Sequence, residues 1–99
     1  MTRIRIEDSG AEGEARRLLG TAVESKLVRI RLAIAATETR VHVFEQRYGV
    51  SSADFAARLT AEDLAGGDAE YVEWLGEWRL LQQLREDLRQ LEAIEYADR

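Results

Sequence analysis

Leu19, Val23, Leu27, Ile30, Ile34, Thr37, Val41, Phe44 and Tyr48 follow one another at steps of four or three. This is the seam spacing of an α-helix packed along its length. Val28, Leu32, Ala36 and Val43 recur at intervals of four or seven on the opposite side of the same helix. A helix with two apolar stripes has to be covered from two directions. One partner within the chain covers only one of them, so the second stripe is expected to be a homo-oligomer interface, with a dimer as the simplest assembly.

The ends of this helix are written in capping residues and glycine, because the chain has no proline to break a helix by ring sterics. Ser9-Gly10-Ala11-Glu12 has the Ser-x-x-Glu form of a capping box, which predicts a start near residue 10. Gly20 precedes a second such box, Thr21 to Glu24. The seam keeps its register across it, which predicts one continuous helix over 10–48. At 1.5 Å per residue that is roughly 57 Å, longer than a compact domain of this size is wide. Upstream, Arg3-Ile4-Arg5-Ile6-Glu7 alternates polar and apolar, the period of a strand. Residues 1–9 are therefore expected as a short strand or arm, with Ile4 and Ile6 available to pair with a symmetry mate or a partner protein.

Gly49 suits the left-handed position that ends a helix, and Ser51 or Ser52 suits the N-cap of the next. Short helices are expected over 52–65, with Thr60-Ala61-Glu62-Asp63 capping one further turn. Gly66-Gly67-Asp68 marks the turn into a last helix over 69–95. Its apolar face is Tyr71, Trp74, Trp78, Leu81, Leu84, Leu88 and Leu91, again at steps of three and four. The predicted fold is all-α: a long antiparallel helical hairpin with one or two short connecting helices and an N-terminal strand or arm, assembling as a helical bundle oligomer. Trp74 and Trp78, one turn apart, read as its packing centre.

Composition sharpens this picture in three ways. Ninety-nine residues make one domain whose own core is marginal, which again favours assembly. The absence of cysteine removes disulfides and thiolate metal sites. The start has no apolar run of signal-peptide length and no window approaches a membrane span, so a cytoplasmic location is expected. Residues 1–49 carry nine Arg or Lys against seven Asp or Glu, and residues 50–99 carry five against twelve, so the halves hold +2 and −7 of the net −5. Glu70, Glu73 and Glu77 then offer an acidic surface to a basic partner.

No residue pattern commits the chain to a chemistry. Gly-rich phosphate loops, Gly-x-Ser-x-Gly elbows and His-Glu-x-x-His helices are missing from the sequence, and with them the usual signatures of phosphoryl transfer and hydrolysis. The single histidine, His42, has Glu38 and Glu45 as helical neighbours. Three such groups can begin a metal site only if another subunit adds ligands, and an exposed His on a charged face is the plainer reading. Arg29, Arg40 and Arg47 share a helix face, but the positions around them do not resemble the anion grip of the chorismate-mutase type. Residues 49–59 have the outline of the first helix of a helix-turn-helix. The helix that would enter the groove carries Glu62, Asp63, Asp68, Glu70 and Glu73, which phosphates repel. No enzyme activity, cofactor, metal or nucleic-acid partner is expected.

The stretch Phe44-Glu-Gln-Arg-Tyr-Gly-Val-Ser-Ser-Ala-Asp-Phe55, followed by Gly66-Gly67-Asp68 and Glu73-Trp74, resembles small prokaryotic helical proteins in which a long helix ends in a Phe-Glu-x-x-Tyr-Gly phrase. The resemblance covers roughly residues 25 to 92, and those proteins look like the antitoxin components of toxin–antitoxin modules. It implies a protein that binds and neutralises a small basic toxin. The alternative is a self-assembling scaffold or adaptor. No functional residue is carried over with the resemblance.

Overall fold

A computed structural model describes residues 2–59 and 68–97, with side chains described over residues 10–59 and 68–97. Three helices are found among these residues: α1 (Thr2–Tyr48), α2 (Ser52–Arg58) and α3 (Ala69–Ala97). No strand occurs among them. The molecule measures 67 × 23 × 18 Å, and its radius of gyration of 20.8 Å far exceeds the roughly 13 Å of a compact chain this long. No helix of the described residues is long and apolar enough to cross a membrane.

The backbone corrects the N-terminal expectation. Residues 2–9 are helical and continuous with α1, so neither the period-two strand nor the capping-box start at Ser9 is used. Five alternating residues are too short a signal to outweigh a helix that can simply extend, each added residue gaining a hydrogen bond without a new nucleus. The side chains of Ile4 and Ile6 lie outside the described residues. Gly20 does not interrupt α1. The turn expected at Thr60–Asp63, the rest of the 52–65 segment and the Gly66-Gly67 pair also lie outside the described residues.

α1 and α3 pack antiparallel, as their cross-helix ion pairs record: Arg47 with Glu70, Arg40 with Glu77, Glu38 with Arg85 and Arg31 with Glu92. The seam of α1 divides accordingly. Leu27, Ile30, Thr37, Val41 and Phe44 are buried, while Val23, Ile34 and Tyr48 are half-buried. Thr37 is tolerated there because its hydroxyl donates to the Ala33 carbonyl at 2.7 Å and accepts from Arg40 at 3.2 Å. Leu19, expected in the same seam, is 66% exposed. The cause is length. Ala97 lies five residues past Glu92 and falls level with about residue 26 of α1, so α1 projects beyond it and Leu19 has no helix opposite among the described residues.

On α3, Trp74 and Leu81 are buried, and Tyr71, Trp78, Leu84, Leu88 and Leu91 are half-buried. Leu75 is buried too, although it lies off the predicted face. It belongs to the buried cluster that also holds Phe44 of α1, Phe55 of α2 and Trp74.

Candidate functional site

The closed end of the hairpin is built from the Phe-Glu-x-x-Tyr-Gly phrase, and every signature residue in it has a structural task. Gly49 takes φ +69°, the left-handed conformation that a side chain disfavours, and its amide donates to the Glu45 carbonyl at 2.8 Å. Ser51 is the N-cap of α2, its hydroxyl accepting from the Asp54 amide at 3.1 Å. The Glu45 carboxylate accepts from the Ser52 amide at 2.8 Å, so one glutamate of α1 satisfies a free donor at the start of α2. Asp68 plays the corresponding part for α3, accepting from the amides of Glu70 and Tyr71.

Trp74 sits at the centre. Its ring stacks on Phe55 at 3.8 Å and 4°, on Tyr48 at 5.4 Å and on Phe44 at 5.7 Å. Its indole nitrogen donates to the Ser52 hydroxyl at 2.8 Å, and both residues are fully buried. Tyr71 packs edge-on against Tyr48 and Phe55. Neither the Ser52–Trp74 bond nor the capping role of Glu45 is visible in sequence spacing, because each joins residues that only the folded hairpin brings together. This end of the molecule is a latch made of aromatic rings and hydrogen bonds. It explains the phrase without a ligand.

The predicted acidic surface is partly neutralised. Glu70 pairs with Arg47 and accepts from the Tyr48 hydroxyl at 2.8 Å. Glu77 pairs with Arg40 at 2.8 Å, and its side chain is 20% exposed. Glu73 is exposed. The arginines considered for an anion grip therefore separate: Arg40 and Arg47 face glutamates of α3, and Arg29 stands exposed without an ion pair among the described residues. His42 is largely exposed, with its Nδ1 3.8 Å from the Glu45 carboxylate, and that carboxylate also holds the Ser52 amide. Among the described residues no group of three His, Cys, Asp or Glu is placed to hold a metal.

Along the reverse side of α1, Val28, Leu32 and Val43 are 56%, 67% and 48% exposed, and Ala36 is exposed with them. Leu18, ten residues before Val28 and at 55% exposure, extends the stripe toward the projecting end, beyond the four positions that the sequence pattern marks. Where α3 ends, an open groove of about 670 Å³ is lined by Ala15, Leu19, Val23 and Ile94, with Glu12 and Glu24 beside them. The arrangement offers apolar contact surface and paired charge. Compared with family models, curated proteins and solved structures, the chain has no match.

Proposed function

We propose that this chain is a non-enzymatic, cytoplasmic protein-binding protein that assembles as a homodimer through the reverse face of α1 and acts as the antitoxin-like partner of a small basic toxin. The observation that carries binding over catalysis is the exposure of Leu18, Val28, Leu32 and Val43 along one side of a helix whose other side is already covered by α3. Apolar side chains aligned in this way, rather than scattered singly, mark contact surfaces. The class of partner rests on the resemblance of residues 44–55 and on the −7 charge of the second half, which favours a basic surface opposite it. Glu73 is the exposed member of the predicted acidic set, and Glu70 and Glu77 reach a partner only by exchanging Arg47 and Arg40 for its cations. That exchange favours the second reading, a self-assembling scaffold whose acidic half serves its own fold.

Co-expression with the adjacent gene of the native operon tests the toxin assignment. The expected outcome is growth arrest by that gene alone, relief by this chain, and a stable complex on purification. An adjacent product that neither arrests growth nor co-purifies overturns it and leaves the scaffold reading. Sedimentation equilibrium of the L32E/V43E variant tests the dimer separately. It should sediment as a folded monomer where the parent chain is dimeric.

A further inference from the structure

The reverse stripe of α1 differs from a solvated helix face in one respect. It runs at steps of three and four from Leu18 through Ser25, Val28, Leu32 and Val43 to Gln46, with every position exposed. Over this span, about 42 Å of helix, it carries no acidic or basic side chain. The chain is 33% charged, and that charge is placed on surfaces meant for water. A long exposed stripe without any is a surface meant to be covered. Its threonines are ready for that. Thr21 donates to the Arg17 carbonyl at 3.1 Å and Thr39 to the Ala35 carbonyl at 3.0 Å, so covering them strands no hydroxyl donor.

Two unpaired charges straddle the stripe. Glu24 and Arg29 are five residues apart, about 140° around the helix, with Ser25 and Val28 on the stripe between them. Both are exposed and neither has an ion pair among the described residues. Arg31, Glu38, Arg40 and Arg47, farther along the same helix, are all engaged by α3. When two helices pack in parallel and in register, a residue flanking the seam meets the residue five positions later on its partner. Glu24 of each copy then meets Arg29 of the other, twice by symmetry. In an antiparallel packing each flank meets its own kind, so Glu24 and Arg29, which lie on opposite flanks, are never set against each other.

We infer that the occupant of the reverse stripe is a second copy of this chain, packed parallel and in register, with reciprocal Glu24–Arg29 ion pairs between the copies. The inference rests on the homodimer proposed above and adds its orientation. Like layers then face like: Leu32 meets Leu32, Val28 meets Val28, and Ser25, Thr39 and Gln46 meet their own copies, so no polar side chain is buried against an apolar one. Each α3 lies on the outer side of its own α1. The four long helices form one flat layer, with both projecting α1 ends at the same pole.

The absence of native cysteine allows a direct test. Leu18→Cys and Gln46→Cys chains are prepared separately and mixed, refolded together, oxidised, and analysed by intact mass and sedimentation equilibrium. Parallel packing gives disulfide-linked homodimers of each variant and no product that joins the two. A mixed disulfide between the Leu18→Cys chain and the Gln46→Cys chain overturns the orientation and leaves the homodimer standing. A parent chain that sediments as a monomer throughout the accessible concentration range overturns both. Glu24→Arg should raise the dimer dissociation constant by about tenfold, two weak pairs being replaced by two repulsions, and adding Arg29→Glu should restore it to within about threefold. Helicity should stay unchanged in both, since neither residue has an intrachain ion-pair partner among the described residues. Restoration failing while Glu24→Arg weakens the dimer also overturns the pairing.

Discussion

Replacing Ser52 by Ala probes the latch at its most sensitive point. The Ser52 hydroxyl accepts the indole N–H of Trp74 at 2.8 Å, and both side chains are sealed from solvent. Among the described residues no buried side-chain N or O lacks a hydrogen-bond partner, so Ser52→Ala introduces the first. The volume lost is one oxygen atom, too little to admit a water that would replace it. An orphaned buried donor costs about 1–3 kcal/mol, a large share of the 5–15 kcal/mol typical of a whole domain. With roughly 4–8 °C per kcal/mol for a chain of this size, a cost of about 2 kcal/mol lowers the melting temperature by about 8–16 °C.

The assay is urea denaturation at fixed protein concentration, since dimerisation contributes to apparent stability, followed by tryptophan fluorescence and far-ultraviolet circular dichroism. The midpoint should fall with its slope unchanged. Ser51→Ala, which removes the α2 cap but leaves the indole bond, is the control. It should cost about 1 kcal/mol without altering Trp74 emission. The decisive comparison repeats Ser52→Ala in a Trp74→Phe background, where no indole N–H exists. There the cost should fall below about 0.5 kcal/mol, giving a coupling of about 1 kcal/mol or more. Equal costs in the two backgrounds, or a Ser52→Ala variant as stable as the parent, would refute the claim that this hydrogen bond secures the latch.

Two further outcomes follow from local geometry. Gly49→Ala should cost about 1–2 kcal/mol in the same denaturation assay from backbone strain alone, because φ is +69° and an added methyl carbon meets nothing within 4 Å. A variant at parental stability would mean that the turn has shifted out of the left-handed region. Glu86 is held below the usual glutamate range, chiefly by its hydrogen bond from Arg89. A depressed carboxylate favours the folded state above its unfolded pKa and loses that contribution as pH falls through the folded value. An NMR titration should show Glu86 moving up toward the ordinary value in Arg89→Ala, and no movement would assign the shift to another group.

Much of this molecule is legible in its sequence because helices are encoded locally. The three- and four-residue steps from Leu27 to Tyr48 and from Tyr71 to Leu91 place the buried faces of both long helices. Gly49 and the serine that follows at 51 mark the turn between α1 and α2, since left-handed backbone and capping are chemistry within a few residues. The same locality misleads at the N-terminus, where Arg3-Ile4-Arg5-Ile6-Glu7 satisfies a strand period over five residues and yet continues a helix. No local pattern states how far a neighbouring helix reaches, so Leu19 reads as seam and stands exposed beyond the end of α3. What only the tertiary structure decides are relations between distant positions. Trp74 finds Ser52 across the latch, Glu45 caps a helix that is not its own, Leu75 joins the aromatic cluster, and Arg40 and Arg47 pair with Glu77 and Glu70, two of the three glutamates that the sequence offered as a binding surface. Periodicity names the face of a helix that must be covered. Which residues cover it, and which charges are left for a partner, depends on distances of a few ångströms that exist only once the hairpin has closed.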